Sequence, residues 1–337
     1  MAGSPLAILS VVGARPQFIK AALVSRELEA AGHHEVLIHT GQHYSTTMSD
    51  VFFEELNIPE PRFNLRIGSH THGRQVGHIM IALEDVWDAG RLEPDFLLVY
   101  GDTNSTLAGA LVGVKRHVAV VHVEAGLRSF NWKMPEEHNR RLTDHCSSLL
   151  FCPTDLAVRN LAAEGIVDGV HNVGDVMYDL LLEHKFCTTG VAPLTEIGVI
   201  PQGYRLVTIH REENTDNPRR LVELCDRVME TRNPIVWPVH PRLEGLLPAY
   251  VKHDRGIKLI EPLPYKRMLT LIRHARDVMT DSGGVQREAH WLGVPCTVLR
   301  EETEWDEMPA IPSRSAAQQI VFTMEEWWKA KYQELPI

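Results

Sequence analysis

The chain has 337 residues, more than one ordinary hydrophobic core supports, and this length suits two domains of normal size. Its composition, 44% hydrophobic and 23% charged residues, is typical of a globular protein. The formal net charge of −10 argues against a nucleic-acid-binding protein, because phosphate neutralisation needs a basic surface. The first predicted element is a β-strand in MAGSPLAILSVV, since this segment is too short for a membrane span and lacks the charged region of a signal peptide.

Short apolar runs alternate with helical stretches along the chain. The runs are LAILSVV, EVLIH, DFLLVY, VAVVHV and SLLFC in the first half, and RLVTIH, PIVWPV, GIKLIEPL, DVMTD and CTVL in the second. Because they are continuously apolar rather than alternating, we predict strands buried on both faces of parallel sheets. Helices are predicted between them, for instance through LEDVWDAG and from TNSTLAGALVGV. This rhythm predicts an α/β protein with Rossmann-like, doubly wound sheets.

A domain boundary is predicted between HNVGDVMYD and QGYRLVTIH, because the intervening FCTTGVAPLTEIGVIPQG is rich in Gly, Pro and Thr. We expect an N-terminal Rossmann-like domain over residues 1–171 and a C-terminal one over residues 172–337. Two such domains facing each other leave a cleft lined by the carboxyl ends of their strands, where ligands bind in these folds. The five cysteines form no C-x-x-C pair, which predicts reduced thiols in a cytoplasmic protein without membrane association.

Polar motifs follow strand after strand. SVV is followed by GARPQFIK, LLVY by GDTNST, VVHV by EAGLR, VTI by HREENTD, and VMT by DSGGVQREA. Each motif alone has a structural explanation: Asp102 or Thr103 can cap the next helix, and Glu124 can pair with Arg128. Five such motifs at the same end of the sheets indicate a functional cleft instead.

The motif DSGGVQREA is the best candidate for an anion or nucleotide site. Ser282, Gly283 and Gly284 let backbone amides at a helix N-terminus approach a phosphate closely. Glu288 lies on the following helix and can accept hydrogen bonds from a ribose. We predict that these four residues bind a nucleotide.

GARPQFIK contributes Arg15 and Lys20, two cations near the start of the first helix that suit a pyrophosphate. This motif lacks the second and third glycines of the dinucleotide fingerprint, and the chain has no Walker lysine motif, so nicotinamide and ATP chemistry lose support. Neither H-E-x-x-H nor a Cys/His spacing typical of zinc occurs. We therefore expect no metal and no cofactor.

Four side chains are candidates for acid–base work: Asp102, Glu124, Glu136 and His210. Two or more carboxylates in one cleft separate each other's proton affinities, so that one can donate a proton while another accepts one. His210 directly follows a predicted strand, unlike a histidine on an apolar helix face, which is usually a core residue.

In this order, the motifs GARPQFIK, TGQHY, GDTNST, HVEAGLRS, PEEHNRR, TIHREENTD, PVHPR and DSGGVQREA resemble those of the non-hydrolysing UDP-N-acetylglucosamine 2-epimerases. The similarity runs from about Leu6 to Asp306. The resemblance implies a glycosyltransferase-B-like fold that binds UDP mainly through its second domain. It also implies interconversion of UDP-GlcNAc and UDP-ManNAc, or of a close UDP-2-acetamido sugar, by elimination of UDP, a 2-acetamidoglucal intermediate and re-addition.

The resemblance implies roles for the candidate residues. The family's acid–base positions correspond to Asp102, Glu124 and Glu136, and positions close to the phosphates correspond to Arg15 and His210. The UDP site corresponds to Ser282, Gly283, Gly284 and Glu288. A second, activating substrate site of some bacterial members corresponds to Gln42, His43, Arg211 and His240. We expect a homodimer that binds a UDP-sugar substrate.

The sequence departs from the family pattern in three places. HREEN puts Glu212 where the family has an arginine, and TEW puts Trp305 where an arginine often contacts the nucleotide. Only about 30 residues follow REETEWDE, without the usual Gly-x-Asn segment, and we expect no full closing helix that returns to the first domain. The HREEN and REETEW forms resemble branches that act on modified sugars such as 2,3-diacetamido uronic acids, so the exact sugar stays open.

Three alternatives to a non-hydrolysing epimerase use the same residues. A hydrolysing epimerase releases UDP and free N-acetylmannosamine, because water traps the intermediate. A glycosyltransferase with the same fold needs an acceptor and exchanges no proton at C2. A catalytically silent UDP-sugar-binding protein keeps the nucleotide pocket without turnover.

Overall fold

In the computed structural model, the chain forms two compact units, one of residues 1–180 with 309–337 and one of residues 181–308. Among the helices that the structure describes, none is long and apolar enough to cross a membrane. For Arg15 and Glu212 the structure describes the backbone only. The described residues are 4–42, 60–68, 70–184, 190–230, 234–300, 304–310 and 314–332.

The first unit is built on a parallel sheet of seven strands in the order β3-β2-β1-β4-β5-β6-β7. The strands are β1 (Ala7–Val12), β2 (His34–His39), β3 (Phe63–Asn64), β4 (Phe96–Tyr100), β5 (Ala119–Val123), β6 (Leu149–Cys152) and β7 (Val170–Asn172). Its helices are α1 (Arg15–Ala30), α2 (His72–Gly90), α3 (Asn104–Lys115), α4 (Pro135–Cys146), α5 (Asp155–Ala163) and α13 (Ala316–Tyr332). Helix α6 (Val176–His184) contains the point where the chain leaves this unit.

The second unit has a parallel sheet of five strands in the order β10-β9-β8-β11-β12. The strands are β8 (Arg205–Thr208), β9 (Ile235–Pro238), β10 (Ile257–Ile260), β11 (Asp277–Thr280) and β12 (Cys296–Val298). The helices are α7 (Ala192–Ile197), α8 (Glu212–Thr215), α9 (Pro218–Met229), α10 (Ala249–His253), α11 (Tyr265–His274) and α12 (Gly283–Trp291).

The apolar runs that predicted buried strands form the centre of both sheets. All five side chains of β4, FLLVY, are buried, and its Val99 packs with Ile79 and Leu83 of α2 in one core. In the second unit, Trp237 of β9 is fully buried and packs with Leu221 and Leu224 of α9. Burial on both faces explains why these strands do not alternate with polar residues. The predicted parallel α/β fold is confirmed.

The domain assignment differs from the prediction in two respects. The boundary between the compact units lies at residue 180 rather than 171, and residues 309–337 belong to the first unit. The prediction of no closing helix is wrong, because α13 packs on the first unit. Trp327 and Trp328 of α13 contact Phe96 of β4, with ring centroids 5.5 and 5.4 Å apart, and Glu325 pairs with His33 at 3.1 Å.

Each sheet reverses its direction of winding once. In the first unit the reversal lies between β1 and β4, and in the second it lies between β8 and β11. Loops that leave the carboxyl ends of two such strands diverge to opposite sides, which opens a crevice where ligands bind in open α/β sheets. The motifs GARPQFIK and GDTNST follow the first pair of strands, and HREENTD and DSGGVQREA follow the second.

Candidate active site

In the first unit, the loops that follow β1 and β4 are fastened together by Gln17. Its side chain is 1% exposed. Oε1 accepts hydrogen bonds from the backbone N–H groups of Gly13 (2.8 Å) and Ala14 (2.9 Å), and Nε2 donates to the carbonyl oxygen of Tyr100 (2.8 Å). The glutamine of GARPQFIK therefore fixes the position of the loop that precedes Asp102.

Glu124 lies directly after β5 and forms a nearly buried ion pair. Lys20 Nζ donates to Glu124 Oε1 at 2.6 Å, and the two side chains are 4% and 9% exposed. Glu124 has a φ of 72°, a left-handed conformation that is strained for a residue with a side chain and is concentrated at functional sites. Gly101 lies beside the pair, since a Cβ on it would be 3.3 Å from Lys20 Nζ. The ammonium group of Lys20, which the sequence predicts to bind a pyrophosphate, thus contacts the Glu124 carboxylate.

Asp102 follows β4 and is paired with an arginine that sequence reasoning missed. Arg140 Nη2 donates to Asp102 Oδ2 at 2.5 Å, and Arg140 is 3% exposed whereas Asp102 is 29% exposed. Arg140 Nη1 also donates to Glu137 at 2.9 Å. The cap of α3 is Thr103, whose side chain accepts from the backbone N–H of Thr106. Of the two residues predicted as possible helix caps, Thr103 caps the helix. The Asp102 carboxylate pairs with Arg140 instead.

Of the adjacent carboxylates at the start of α4, Glu136 is half-buried and Glu137 is fully buried. Glu137 accepts hydrogen bonds from the Ser129 backbone and hydroxyl, and from Arg140 and Arg141. Burial alone would raise the pKa of Glu137, but these hydrogen bonds and the Arg140 charge outweigh it and lower the pKa below its ordinary value. Glu137 therefore anchors the loop after β5, and the role of Glu136 stays a prediction.

The predicted alternative pairing of Glu124 with Arg128 is wrong. Arg128 is 2% exposed and its Nη1 donates to Asp144 Oδ2 at 2.7 Å. Its Nε and Nη2 donate to the two oxygens of Glu164, both at 2.8 Å. Arg128 is thus a buried structural residue, and its ion pairs hold the EAGLR loop between α4 and α5.

In the second unit, His210 follows β8 and is oriented by a buried carboxylate. Asp281 Oδ1 lies 2.9 Å from His210 Nδ1, and Asp281 is 0% exposed whereas His210 is 36% exposed. Asp281 also accepts from the backbone N–H groups of His210 and Arg211 and from Asn214 Nδ2, at 2.9 to 3.1 Å. Burial alone would raise the pKa of Asp281, but hydrogen bonding and charge from His210, followed by Asn214 and Arg211, lower it to about 2.

We expect the Asp281 carboxylate to stabilise the fold in a pH-dependent way. Because its pKa is lowered to about 2 in the folded protein, the stabilisation is complete above about pH 4 and is lost as the pH falls towards the folded value. Asp281→Asn should lower the free energy of unfolding by about 2 kcal/mol at neutral pH. Urea denaturation between acidic and neutral pH measures the difference.

The matched control for this prediction is Asp216→Asn, since Asp216 is 64% exposed and pairs with Arg242 on the surface. Exposed ion pairs contribute little, so this variant should follow wild type at every pH. A difference between wild type and Asp281→Asn that does not shrink in acid would contradict the assignment.

The predicted anion site lies at the start of α12. Ser282 is the N-cap, and its Oγ accepts from Val285 N at 3.4 Å. Glu288 is 4% exposed on the same helix. Gly283 packs against Trp305, since a Cβ there would lie 2.9 Å from Trp305 Nε1. The Trp305 ring is 3% exposed and stacks on Arg287, whose Cζ is 3.8 Å from the ring centroid. Trp305 therefore packs beneath the helix start.

The two glycines of this motif should respond differently to a methyl group. Gly283→Ala forces a shift of buried Trp305 and should lower the free energy of unfolding by roughly 1–3 kcal/mol. Gly284→Ala is the matched control, because a Cβ there meets only Ser282 Oγ at 3.7 Å. A helical Gly→Ala change without a clash stabilises by about 0.5–1 kcal/mol. Equal effects of the two substitutions on urea denaturation would contradict the packing described.

The four residues predicted for an activating site are distributed over both units. His43 lies outside the described residues. Gln42, in the first unit, accepts from Ser105 Oγ at 2.6 Å. In the second unit, the His240 and His210 rings are 5.6 Å apart, and Arg211 Nη2 lies 3.7 Å from Glu304 Oε1. In that unit the His240 ring therefore lies beside His210, which Arg211 follows in the chain.

Within the described ranges, no group of three or more His, Cys, Asp or Glu side chains is arranged to hold a metal ion.

Residues 26–322, which are most of the chain, match the UDP-N-acetylglucosamine 2-epimerase family. The chain belongs to this family.

Relatives of the family are similar over most of their length. A UDP-N-acetylglucosamine 2-epimerase homolog of Methanococcus maripaludis is 48% identical over 307 residues, covering 89% of this chain and 85% of the relative. The UDP-2,3-diacetamido-2,3-dideoxy-D-glucuronate 2-epimerase of Pseudomonas aeruginosa is 46% identical over 313 residues, with the same coverage. The crystal structure of the Methanocaldococcus jannaschii UDP-GlcNAc 2-epimerase with UDP-GlcNAc and UDP has a TM-score of 0.86 and 38% identity, covering 96% of this chain and 99% of that chain.

Membership in the 2-epimerase family confirms the predicted family, the predicted enzyme class and the two-domain α/β architecture. The roles of individual residues stay predictions. Sequence reasoning missed three residues that fix the 2-epimerase's candidate site: Gln17, Arg140 and Asp281. Asp281 is the first residue of DSGGVQREA and Arg140 lies in PEEHNRR. Both belong to motifs that carry the family resemblance, but which side chain each of them contacts depends on the tertiary fold.

Proposed function

We propose that the protein interconverts UDP-GlcNAc and UDP-ManNAc, or a close pair of UDP-2-acetamido sugars, without net hydrolysis. The observation that carries the proposal is the arrangement at the carboxyl edge of the first sheet. Glu124 and Asp102 follow neighbouring strands, and each is held by a buried cation, at 2.6 Å by Lys20 and at 2.5 Å by Arg140. Carboxylates fixed in this way can act on a proton of a bound sugar.

The chemistry of epimerisation at C2 explains the need for more than one carboxylate. A base removes the C2 proton while the C1–O bond to UDP breaks, which gives a 2-acetamidoglucal and UDP. An acid then protonates C2 from the opposite face while the UDP oxygen re-forms the bond at C1. We assign these proton transfers to Glu124, Asp102 and Glu136, since base and acid must act on opposite faces of the ring.

The second unit supplies the features expected of a UDP site. The backbone N–H groups at the start of α12 suit a diphosphate, and Glu288 on the same helix suits a ribose. His210, fixed through Nδ1 by Asp281, can donate a hydrogen bond to the departing diphosphate. We propose that Arg15 serves the same leaving group.

The identity of the sugar is the open choice within this proposal. The Pseudomonas aeruginosa relative, named for a diacetamido glucuronate substrate, is nearly as similar as the first relative, at 46% against 48% identity. UDP-2,3-diacetamido-2,3-dideoxyglucuronate is therefore the second candidate substrate.

The cytoplasmic location and the homodimeric assembly stay predictions. Sedimentation equilibrium tests the homodimer.

The proposal is tested by incubating the purified protein with each of the two UDP sugars and following the anomeric signals by NMR. We expect one of them to give its 2-epimer with UDP still attached. Stoichiometric free UDP with the free sugar would instead indicate the hydrolysing reaction. Binding of UDP by calorimetry with no epimer from either sugar would favour a catalytically silent protein.

A further inference from the structure

His122 lies in β5, two residues before Glu124, and is fully buried. Its Nδ1 is 2.7 Å from Asp144 Oδ1, and its Nε2 is 2.7 Å from the carbonyl oxygen of Gly101. A carbonyl oxygen and a carboxylate oxygen only accept hydrogen bonds. A neutral imidazole has one N–H group and one nitrogen lone pair, so it would point that lone pair at one of the two oxygens. Burial of a polar nitrogen without a matched hydrogen bond is unfavourable.

Asp144 is not placed to donate the missing proton. Its Oδ2 accepts from Arg128 Nη1 at 2.7 Å and from the Gly126 backbone N–H at 3.3 Å. An arginine and a backbone amide both bind the ionised form of a carboxyl group. Both hydrogens in the contacts of His122 must therefore come from its own ring.

We propose that His122 is held as an imidazolium, with a proton on each ring nitrogen, and that this buried cation positions the two loops that carry Asp102 and Glu124. Its partner Gly101 directly precedes Asp102. Its partner Asp144 binds Gly126 in the loop after Glu124. The His122 ring thus links the loop that carries Asp102 to the loop that carries Glu124.

The surrounding charges are consistent with a cation at this point. Asp144 shares Arg128 with Glu164, and Lys20 of α1 pairs with Glu124, two residues after His122. Glu164 is also paired with Arg141 at 2.7 Å, and the charged group that contacts the His122 ring is the Asp144 carboxylate at 2.7 Å, which favours a cation there. Gly101, whose carbonyl oxygen contacts the His122 ring, also lies beside the ion pair. A Cβ on Gly101 would be 3.3 Å from Lys20 Nζ and 3.6 Å from Glu124 Oε1.

The protonation state is read directly by NMR of the full-length protein labelled with ¹⁵N in its histidine rings, at neutral pH. We expect both His122 nitrogens to show the chemical shifts of an imidazolium, each coupled to its own proton. His171, half-buried on β7, is the internal reference, because burial lowers its pKa and should leave it neutral. Comparison with His122→Gln assigns the signals. One protonated and one unprotonated nitrogen at His122 would overturn the proposal, whatever the enzyme's activity.

The positioning role rests on the proposed function and is tested by His122→Gln beside the matched control His171→Gln. A glutamine offers a donor to only one of the two acceptors, so the loops should shift. We expect kcat of the folded His122→Gln protein to fall by roughly 10²-fold, with KM and UDP affinity unchanged, and His171→Gln to behave as wild type. A lower melting temperature with normal kcat would overturn the positioning role. If wild type itself shows no turnover, the proposed function fails, and the NMR result still decides the protonation state.

Discussion

Glu124→Gln is expected to lower kcat by roughly 10³-fold, because the amide keeps the shape of the side chain but accepts no proton. The substitution should also destabilise the fold by about 3 kcal/mol, since Lys20 would keep a nearly buried charge without its carboxylate partner. Steady-state kinetics with the UDP sugar that the protein epimerises, together with urea denaturation, measure the two effects.

The double variant Lys20→Met with Glu124→Gln separates these two effects. Replacing both members of the pair removes the buried charge, so most of the lost stability should return. Turnover should stay as low as in the single variant, because the proton acceptor is still missing. Recovery of kcat in the double variant would show that Glu124 is a structural residue and not part of the chemistry.

Asp102→Asn is expected to lower kcat by about 10²-fold or more while the protein keeps its fold. Arg140 retains Glu137 as a partner at 2.9 Å, so no buried charge is left alone, and the stability should change by roughly 1 kcal/mol or less. UDP affinity should barely change, because the assigned role concerns the sugar and not the diphosphate. Isothermal calorimetry with UDP and steady-state kinetics measure both quantities.

Asp88→Asn is the matched control, since Asp88 is also paired with an arginine, Arg116 at 2.8 Å, but is 68% exposed on α2. This variant should have normal kcat and nearly normal stability. A well-folded Asp102→Asn enzyme with normal turnover would remove Asp102 from the mechanism and leave Glu124 and Glu136 to carry it.

The fold followed from the sequence because its strands have a strong local signal. Runs such as FLLVY and VAVVHV have no polar position, which is typical of strands covered on both faces, and their order along the chain indicated parallel sheets. The closing helix was missed for a different reason. Its buried apolar residues Ile320 and Val321 lie four and three positions before Met324, which is the spacing of one helix face, but the prediction rested on the length of chain after REETEWDE and not on this periodicity.

The sequence predicted which residues form the candidate site, but it did not predict which side chains form ion pairs with one another. Polar residues after apolar strands indicated that Asp102, Glu124 and His210 lie at the carboxyl edges of the sheets, where the structure places them. The ion pair between Lys20 and Glu124 joins residues 104 positions apart, and no local pattern specifies such a contact. The same holds for Trp305, whose packing under Gly283 depends on how the chain returns to α12.

The most direct test of this account is proton exchange at C2 of the sugar. The protein is incubated in deuterated water with the UDP sugar it turns over, and the epimer pool is analysed by NMR and mass spectrometry. If carboxylates of the first unit remove and return the C2 proton, deuterium should enter at C2 in step with epimer formation, and Glu124→Gln should slow both equally. Epimer that forms without deuterium at C2 would contradict solvent-exchanging carboxylate chemistry, and the roles assigned to Asp102, Glu124 and Glu136 would then be wrong.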